Sequence, residues 1–106
     1  MPVDVKVVAL VGDLMDRSRL SAALSNVVFT ADPGTCSGAD VVVVDLARHG
    51  DTIPAVRAAA PDARIVGFGP HVDDELLARA GAQGADVVLP RSRFFRDPAA
   101  ALSFEN

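Results

Sequence analysis

The sequence predicts a three-layer α/β domain, a five-stranded parallel sheet with helices on both faces. Three observations point there. Short β-branched runs alternate with stretches whose apolar residues recur at helical spacing. The run Val41, Val42, Val43, Val44 is apolar on both faces, as strands buried between two helical layers are. The runs end at Gly, Asp or Pro, the residues of turns and helix starts. A chain of 106 residues has room for one domain, spanning 1–106.

The elements follow in order. Residues 5–11 form the first strand, which stops at Gly12 and Asp13. Residues 16–24 place Leu20, Ala23 and Leu24 on one helical stripe, with Asp16 as N-cap. Residues 27–30 are a second short strand, and 32–38 are loop chemistry throughout. The third strand, 41–44, ends in Asp45. A helix at 51–60 starts at Asp51 or Thr52 and is stopped by Pro61. Residues 65–68 are the fourth strand, with a turn at 69–72. Asp73 caps a helix at 74–83 whose Leu76, Leu77 and Ala80 face inward, and Gly84 ends it. The fifth strand, 87–89, ends at Pro90 and Arg91. A short last helix at 97–102 has Pro98 at its first position.

Five strands in this succession suggest the flavodoxin-like order 2-1-3-4-5. In such sheets functional groups gather beyond the carboxyl ends of the strands, where the order reverses. One link is too short for the plan. Only residues 31–39 join the second strand to the third, whereas a parallel crossover takes about a dozen residues and a helix. The second helix is therefore expected to be missing, and part of one sheet face to lie bare.

Composition narrows the function. The net charge is −4, and the nine Arg and one Lys are scattered apart from Arg91, Arg93 and Arg96. Nucleic-acid binding needs a clustered basic face, so it is not expected. No apolar run approaches the roughly 18 residues of a membrane span, and no secretory leader pattern is present. A cytoplasmic protein that binds no membrane is expected. One cysteine, Cys36, excludes an internal disulfide and a cysteine-based zinc site. It lies in a Gly/Ser-rich loop and is expected to be exposed. No nucleophile–base pair is readable, so an enzyme is not expected.

The C-terminal half carries a resemblance. Residues 68–73 followed by 80–91, with Gly84, Ala85 and Asp86 leading into the last strand, resemble the fourth strand, fourth helix and fifth strand of bacterial response-regulator receiver (CheY-like) domains. The third strand, ending in Asp45, resembles the one that delivers their phospho-acceptor. The resemblance implies Asp45 as phosphorylated residue, and magnesium on Asp13, Asp45 and the carbonyl of Ala47. It also puts Arg91 and Gly69 at the phosphoryl-contacting positions, and His71, before a helix start whose N–H groups suit an anion, is expected to bind phosphate beside them.

The departures are large. Gly12 stands where receivers have the first of two acids, Gly69 where they have Ser or Thr, and Arg91 where they have Lys. A planar guanidinium bridges carboxylates rather than acting as a point charge. Arg91 is therefore expected to pair with Asp13 or Asp45, while Asp45 itself reads equally as a capping carboxylate and Asp13 as a loop acid bonded to the following turn. The expected function is a degenerate or pseudo-receiver, a stand-alone signalling or protein-interaction module that does not use ordinary aspartyl phosphorylation. Two alternatives stay open. One is a working acceptor in a two-component system, served by a histidine kinase. The other is a small-anion site made by Arg91, His71 and the helix start at Asp73. Phe94 and Phe95 lie on the face receivers use for partners and dimers. One of the two is expected to be exposed there, and the chain to form a homodimer.

Overall fold

The computed structural model describes residues 5–24, 26–70 and 74–102. The elements are β1 (Val7–Leu10), α1 (Leu14–Ala23), β2 (Val27–Phe29), a 3-10 turn (Pro33–Cys36), β3 (Val41–Asp45), α2 (Leu46–His49) and a 3-10 turn (Gly50–Thr52). They continue with α3 (Ile53–Ala59), β4 (Arg64–Gly69), α4 (Asp74–Ala82), β5 (Val87–Pro90), α5 (Arg91–Arg96) and α6 (Pro98–Leu102). The sheet order is β2-β1-β3-β4-β5 and every pairing is parallel. The expected order is therefore the observed one.

β1 and β3 are buried along their whole length, which is why they read as continuous valine runs. Alternate residues feed two cores. On one face Val8, Leu10, Val42, Val44 and Ile65 lie beneath Cys36, Leu46, Ile53, Val56 and Ala80. On the other, Val7, Ala9, Val41, Val43, Val66 and Phe68 lie beneath Leu20, Leu24, Phe94 and Leu102. Thus α1, α5 and α6 cover one face, and α2, α3, α4 and the Pro33–Cys36 turn cover the other.

The short crossover is the 3-10 turn. Asp32 Oδ1 caps it by accepting the Gly34 N–H. Cys36 is fully buried at its end, contrary to the expected exposed thiol, because it packs into the core beneath α3 at the place a crossover helix would fill. Burial pushes the thiol pKa up, with Asp32 adding to the shift. Val28, on the edge strand β2, pairs with the fully buried Val8 on the same face, yet is 45 % exposed.

Four local expectations change. α1 starts earlier than position 16, because Asp13, not Asp16, is its N-cap. Asp13 is extended and accepts from the Met15 and Asp16 N–H groups. Of the expected stripe, Leu20 and Leu24 are buried but Ala23 is exposed. The helix expected at 51–60 is split into the Gly50–Thr52 turn and α3. Two helices were not expected, α2 directly after Asp45 and α5 directly after Pro90.

At the far end of the sheet the Gly84, Ala85, Asp86 sequence has a structural reason. Gly84 ends α4 at φ +121, a conformation only glycine adopts without strain. Asp86 then bridges two elements, accepting the Ile65 N–H at 2.8 Å and an Arg57 N–H at 2.8 Å.

Candidate functional site at the strand ends

The carboxyl ends of β1, β3, β4 and β5 meet around a hollow of about 210 Å³, lined by Asp13, Asp16, Asp45, Arg48, Gly69 and Arg91, with Ala47 at its edge. Each position follows from the local fold. Asp45 is the last residue of β3 and the N-cap of α2, its Oδ1 accepting the Ala47 N–H at 3.1 Å. Asp13 caps α1 through its own Oδ1. Gly69 ends β4, and Arg91 opens α5 immediately after β5.

The acids differ in state. Asp45 is 5 % exposed. Burial pushes its carboxyl above the usual range, Asp16 pushes the same way, and the Ala47 N–H, Arg91 and Arg48 pull against them. Asp13 is held low by the Asp16 N–H first, with Met15, Arg48 and Arg91 adding to it against a smaller desolvation effect. Asp45 is thus the capping carboxylate of one reading, and Asp13 bonds the turn that follows it, as its N-cap.

Asp16 is the residue the sequence reading missed. It is 1 % exposed and grips Arg91 with both carboxylate oxygens, Nη1 to Oδ2 at 2.7 Å and Nη2 to Oδ1. Arg91 thus pairs with Asp16, rather than with Asp13 or Asp45 as expected. A bonded carboxylate keeps the guanidinium charged, and its pKa is raised. The same guanidinium lies 5.7 Å from the Phe68 ring centre and 5.0 Å from that of Phe95. A signal for Asp16 existed: it lies four positions before Leu20 on the buried stripe of α1, where a charge needs a partner.

Neither Phe94 nor Phe95 is exposed, contrary to the expectation that one of them would be. Phe94 is fully buried and stacks on Phe68 at 4.9 Å. Phe95 is half-buried, edge-on to Phe68 and Phe94 and beneath the Arg19 guanidinium. Phe94 belongs to the core and Phe95 packs against it, both on α5, a helix not expected from the sequence. Gly69 borders the hollow, but a Cβ there would meet Leu77 at 3.3 Å and Leu76 at 3.4 Å. His71 and Asp73 lie outside the described residues. The small-anion reading also loses Arg91 to Asp16.

A divalent cation would find Asp13 and Asp45 on one hollow, each with Oδ1 bonded to backbone and Oδ2 without a hydrogen bond among the described residues. Hard cations such as magnesium take one or two protein carboxylates plus water. The donor set fits that minimum. Among the described residues no group of three or more acids, His or Cys could hold a metal, and the third acid on the hollow, Asp16, is bonded to Arg91.

No protein-family model and no curated protein matches the chain. Solved structures do. A response regulator from Burkholderia pseudomallei, solved with a phosphorylated aspartate, a calcium ion and citrate, superposes with TM-score 0.72 at 17 % identity over 92 % of this chain and 65 % of that one. This chain thus spans under two thirds of that protein. A CheY-like protein (tadZ) from Pseudomonas aeruginosa PAO1 gives 0.63 at 20 % identity, over 82 % and 87 %. A candidate CpaE2 pilus assembly protein from Sinorhizobium meliloti 1021 gives 0.64 at 16 % identity, over 92 % and 96 %. The chain has the CheY-like receiver fold.

Proposed function

We propose that this chain is a receiver-like signalling or protein-interaction module that works without ordinary aspartyl phosphorylation. The observation that carries the reading is the bond between Arg91 and the buried Asp16. A phosphoryl group on Asp45 would bring added negative charge into a hollow already holding three acids. The cation expected to pair with it is held elsewhere, and Gly69 has no hydroxyl to follow it. The module would act through protein partners in the cytoplasm, as a non-enzyme, without nucleic-acid or membrane contacts. No helix among the described residues is long and apolar enough to cross a membrane. A second copy of the chain is among the partners proposed, and light scattering of the purified chain tests it.

One observation favours the runner-up, a working acceptor served by a histidine kinase. Asp45 lines the hollow, and its Oδ2 has no hydrogen bond among the described residues. It could attack the phosphorus of a phosphohistidine or acyl phosphate. A new P–O bond would form as the bond to the leaving group breaks, and that group would depart with the electron pair. A divalent cation on Asp13 and Asp45 would offset the crowded charge of that transfer.

The test is an amide NMR titration with magnesium and then beryllium fluoride, on wild type and Asp45→Asn. The expected outcome is no Asp45-dependent shift at saturating reagent. Shifts at Asp13, Asp45 and Arg91 in wild type alone would overturn the proposal and install the runner-up.

A further inference from the structure

A second hollow opens on the other side of α2. It runs between α4 and the segment of α2 with the Gly50–Thr52 turn, and measures about 360 Å³. Its floor is apolar, made by the buried Leu46 and Ala80 with the half-buried Leu76. Its rim carries the exposed Arg48, Arg79 and Asp51. Neither guanidinium is ion-paired among the described residues, whose ion pairs join Arg57 to Asp86 and Arg91 to Asp16. One carboxylate against two guanidiniums leaves the rim positive, on a chain whose net charge is −4.

We infer that this groove docks a short acidic segment of a partner protein. An aliphatic side chain of the segment rests on Leu46, Leu76 and Ala80, and flanking carboxylates engage Arg48 and Arg79. Charge complementarity selects this occupant. An unpaired guanidinium offers a planar fork that matches a carboxylate, and arginine beside an apolar seat is a common anchor of protein interfaces. The size is near the low end of ligand sites, about 300–1,000 Å³, and suits one or two side chains presented by an extended segment.

The position of the groove gives it a consequence. Ala47 and Arg48 line this groove and the strand-end hollow alike, so α2 is their shared wall. A segment that engages Arg48 therefore touches the wall of the strand-end hollow as well.

The experiment is an amide NMR titration of the full chain with two end-blocked pentapeptides, DLEEL and its uncharged counterpart NLQQL. DLEEL is expected to give saturable shifts at Ala47, Arg48, Arg79 and Ala80 with a Kd near or below about 1 mM. NLQQL, and Arg79→Glu titrated with DLEEL, are each expected to bind about fivefold more weakly or worse, the scale of an exposed charge pair. Arg96→Glu, outside the groove, is expected to leave the affinity unchanged. Absence of saturable shifts, shifts centred elsewhere, equal binding of NLQQL, or an equal loss in Arg96→Glu would each overturn the inference.

Discussion

Arg91, the first residue of α5, holds the carboxylate of Asp16 in α1 across 75 positions of sequence, with one N–H bond to each oxygen. The two partners are unequally placed. The Asp16 side chain is 1 % exposed and the Arg91 side chain 42 %. The pair fastens the end of β5 to the start of α1 and fixes where positive charge sits on the strand-end rim.

That inequality predicts an asymmetric mutational response. Arg91→Ala strands a buried carboxylate and should cost about 3–5 kcal/mol. Asp16→Ala leaves a guanidinium that reaches water, at a cost of about 1–2 kcal/mol. Replacing both, Asp16→Leu with Arg91→Met, should recover most of the loss, since apolar substitutes for a buried pair are often neutral. Urea unfolding of the three variants reads the order directly. Equal losses in the two single variants would contradict the buried-acid account.

Asp45 predicts the opposite sign for a neighbouring acid. Its folded pKa is raised above the ordinary 3.8, chiefly by burial. The folded state therefore binds the proton more tightly than the unfolded chain does. Ionised Asp45 opposes folding, fully so above its folded pKa, and the opposition fades as pH falls through that value toward 3.8. Asp45→Asn keeps an oxygen to accept the Ala47 N–H. It should raise Tm at pH 7 by roughly 3 °C or more, given that ~1 kcal/mol moves a domain of this size by about 4–8 °C. The gap to wild type should close in acid. A lower Tm for Asp45→Asn at pH 7 would mean that attraction to Arg48 and Arg91 outweighs desolvation.

Leu46 locks α2 onto the sheet through Gly67. A Cβ at Gly67 would lie 2.8 Å from Leu46 Cδ2 and 3.1 Å from two further Leu46 carbons. At Gly69 the nearest atoms would be 3.3–3.5 Å away. Gly67→Ala should therefore overpack the core and cost about 1–3 kcal/mol, against less than about 1 kcal/mol for Gly69→Ala. Thermal unfolding distinguishes them, and a Gly69→Ala loss as large as that of Gly67→Ala would reject the wedge.

The sheet was legible because its information is local. Valine runs at 7–11 and 41–44 name the two central strands, and the nine residues at 31–39 leave no length for a crossover helix. Val28, 45 % exposed on a face where Val8 is fully buried, lies on the edge strand that this short link serves. The site was legible only in its backbone positions. Asp13, Asp45 and Arg91 do reach one hollow, because the topology takes every strand end there. What joins them is a contact of sequence separation 75, which no local pattern carries. α5 hid for a related reason. Its six residues, Arg-Ser-Arg-Phe-Phe-Arg, show no apolar period, and tertiary packing of Phe94 on Phe68 makes the helix.

At the opposite end of the sheet, Arg57 and Asp86 predict a second acid-dependent response, of the sign opposite to Asp45. Arg57 donates to the carbonyls of Pro61, Ala63 and Gly84 and to Asp86 Oδ2, which also accepts the Ile65 N–H. Desolvation pushes the Asp86 carboxyl up, but the Ile65 N–H and the Arg57 guanidinium outweigh it and hold the pKa below 3.8. The unfolded chain therefore binds the proton more tightly. The stability from ionised Asp86 is full above about 3.8 and is lost as pH falls through the lowered folded value. Asp86 is 44 % exposed, so solvent weakens the ionic part and the backbone bond carries more of the effect. Asp86→Ala should cost about 1–2 kcal/mol at pH 7. Arg57→Ala should cost about 2–3 kcal/mol, because it leaves the Ala63 and Gly84 carbonyls without their donor. Asp86→Asn isolates the charge, and its gap to wild type should narrow as pH drops below about 3.8. Urea unfolding at pH 7 and pH 3 measures both. A gap that stays the same size at the two values would show that Asp86 acts through hydrogen bonding alone.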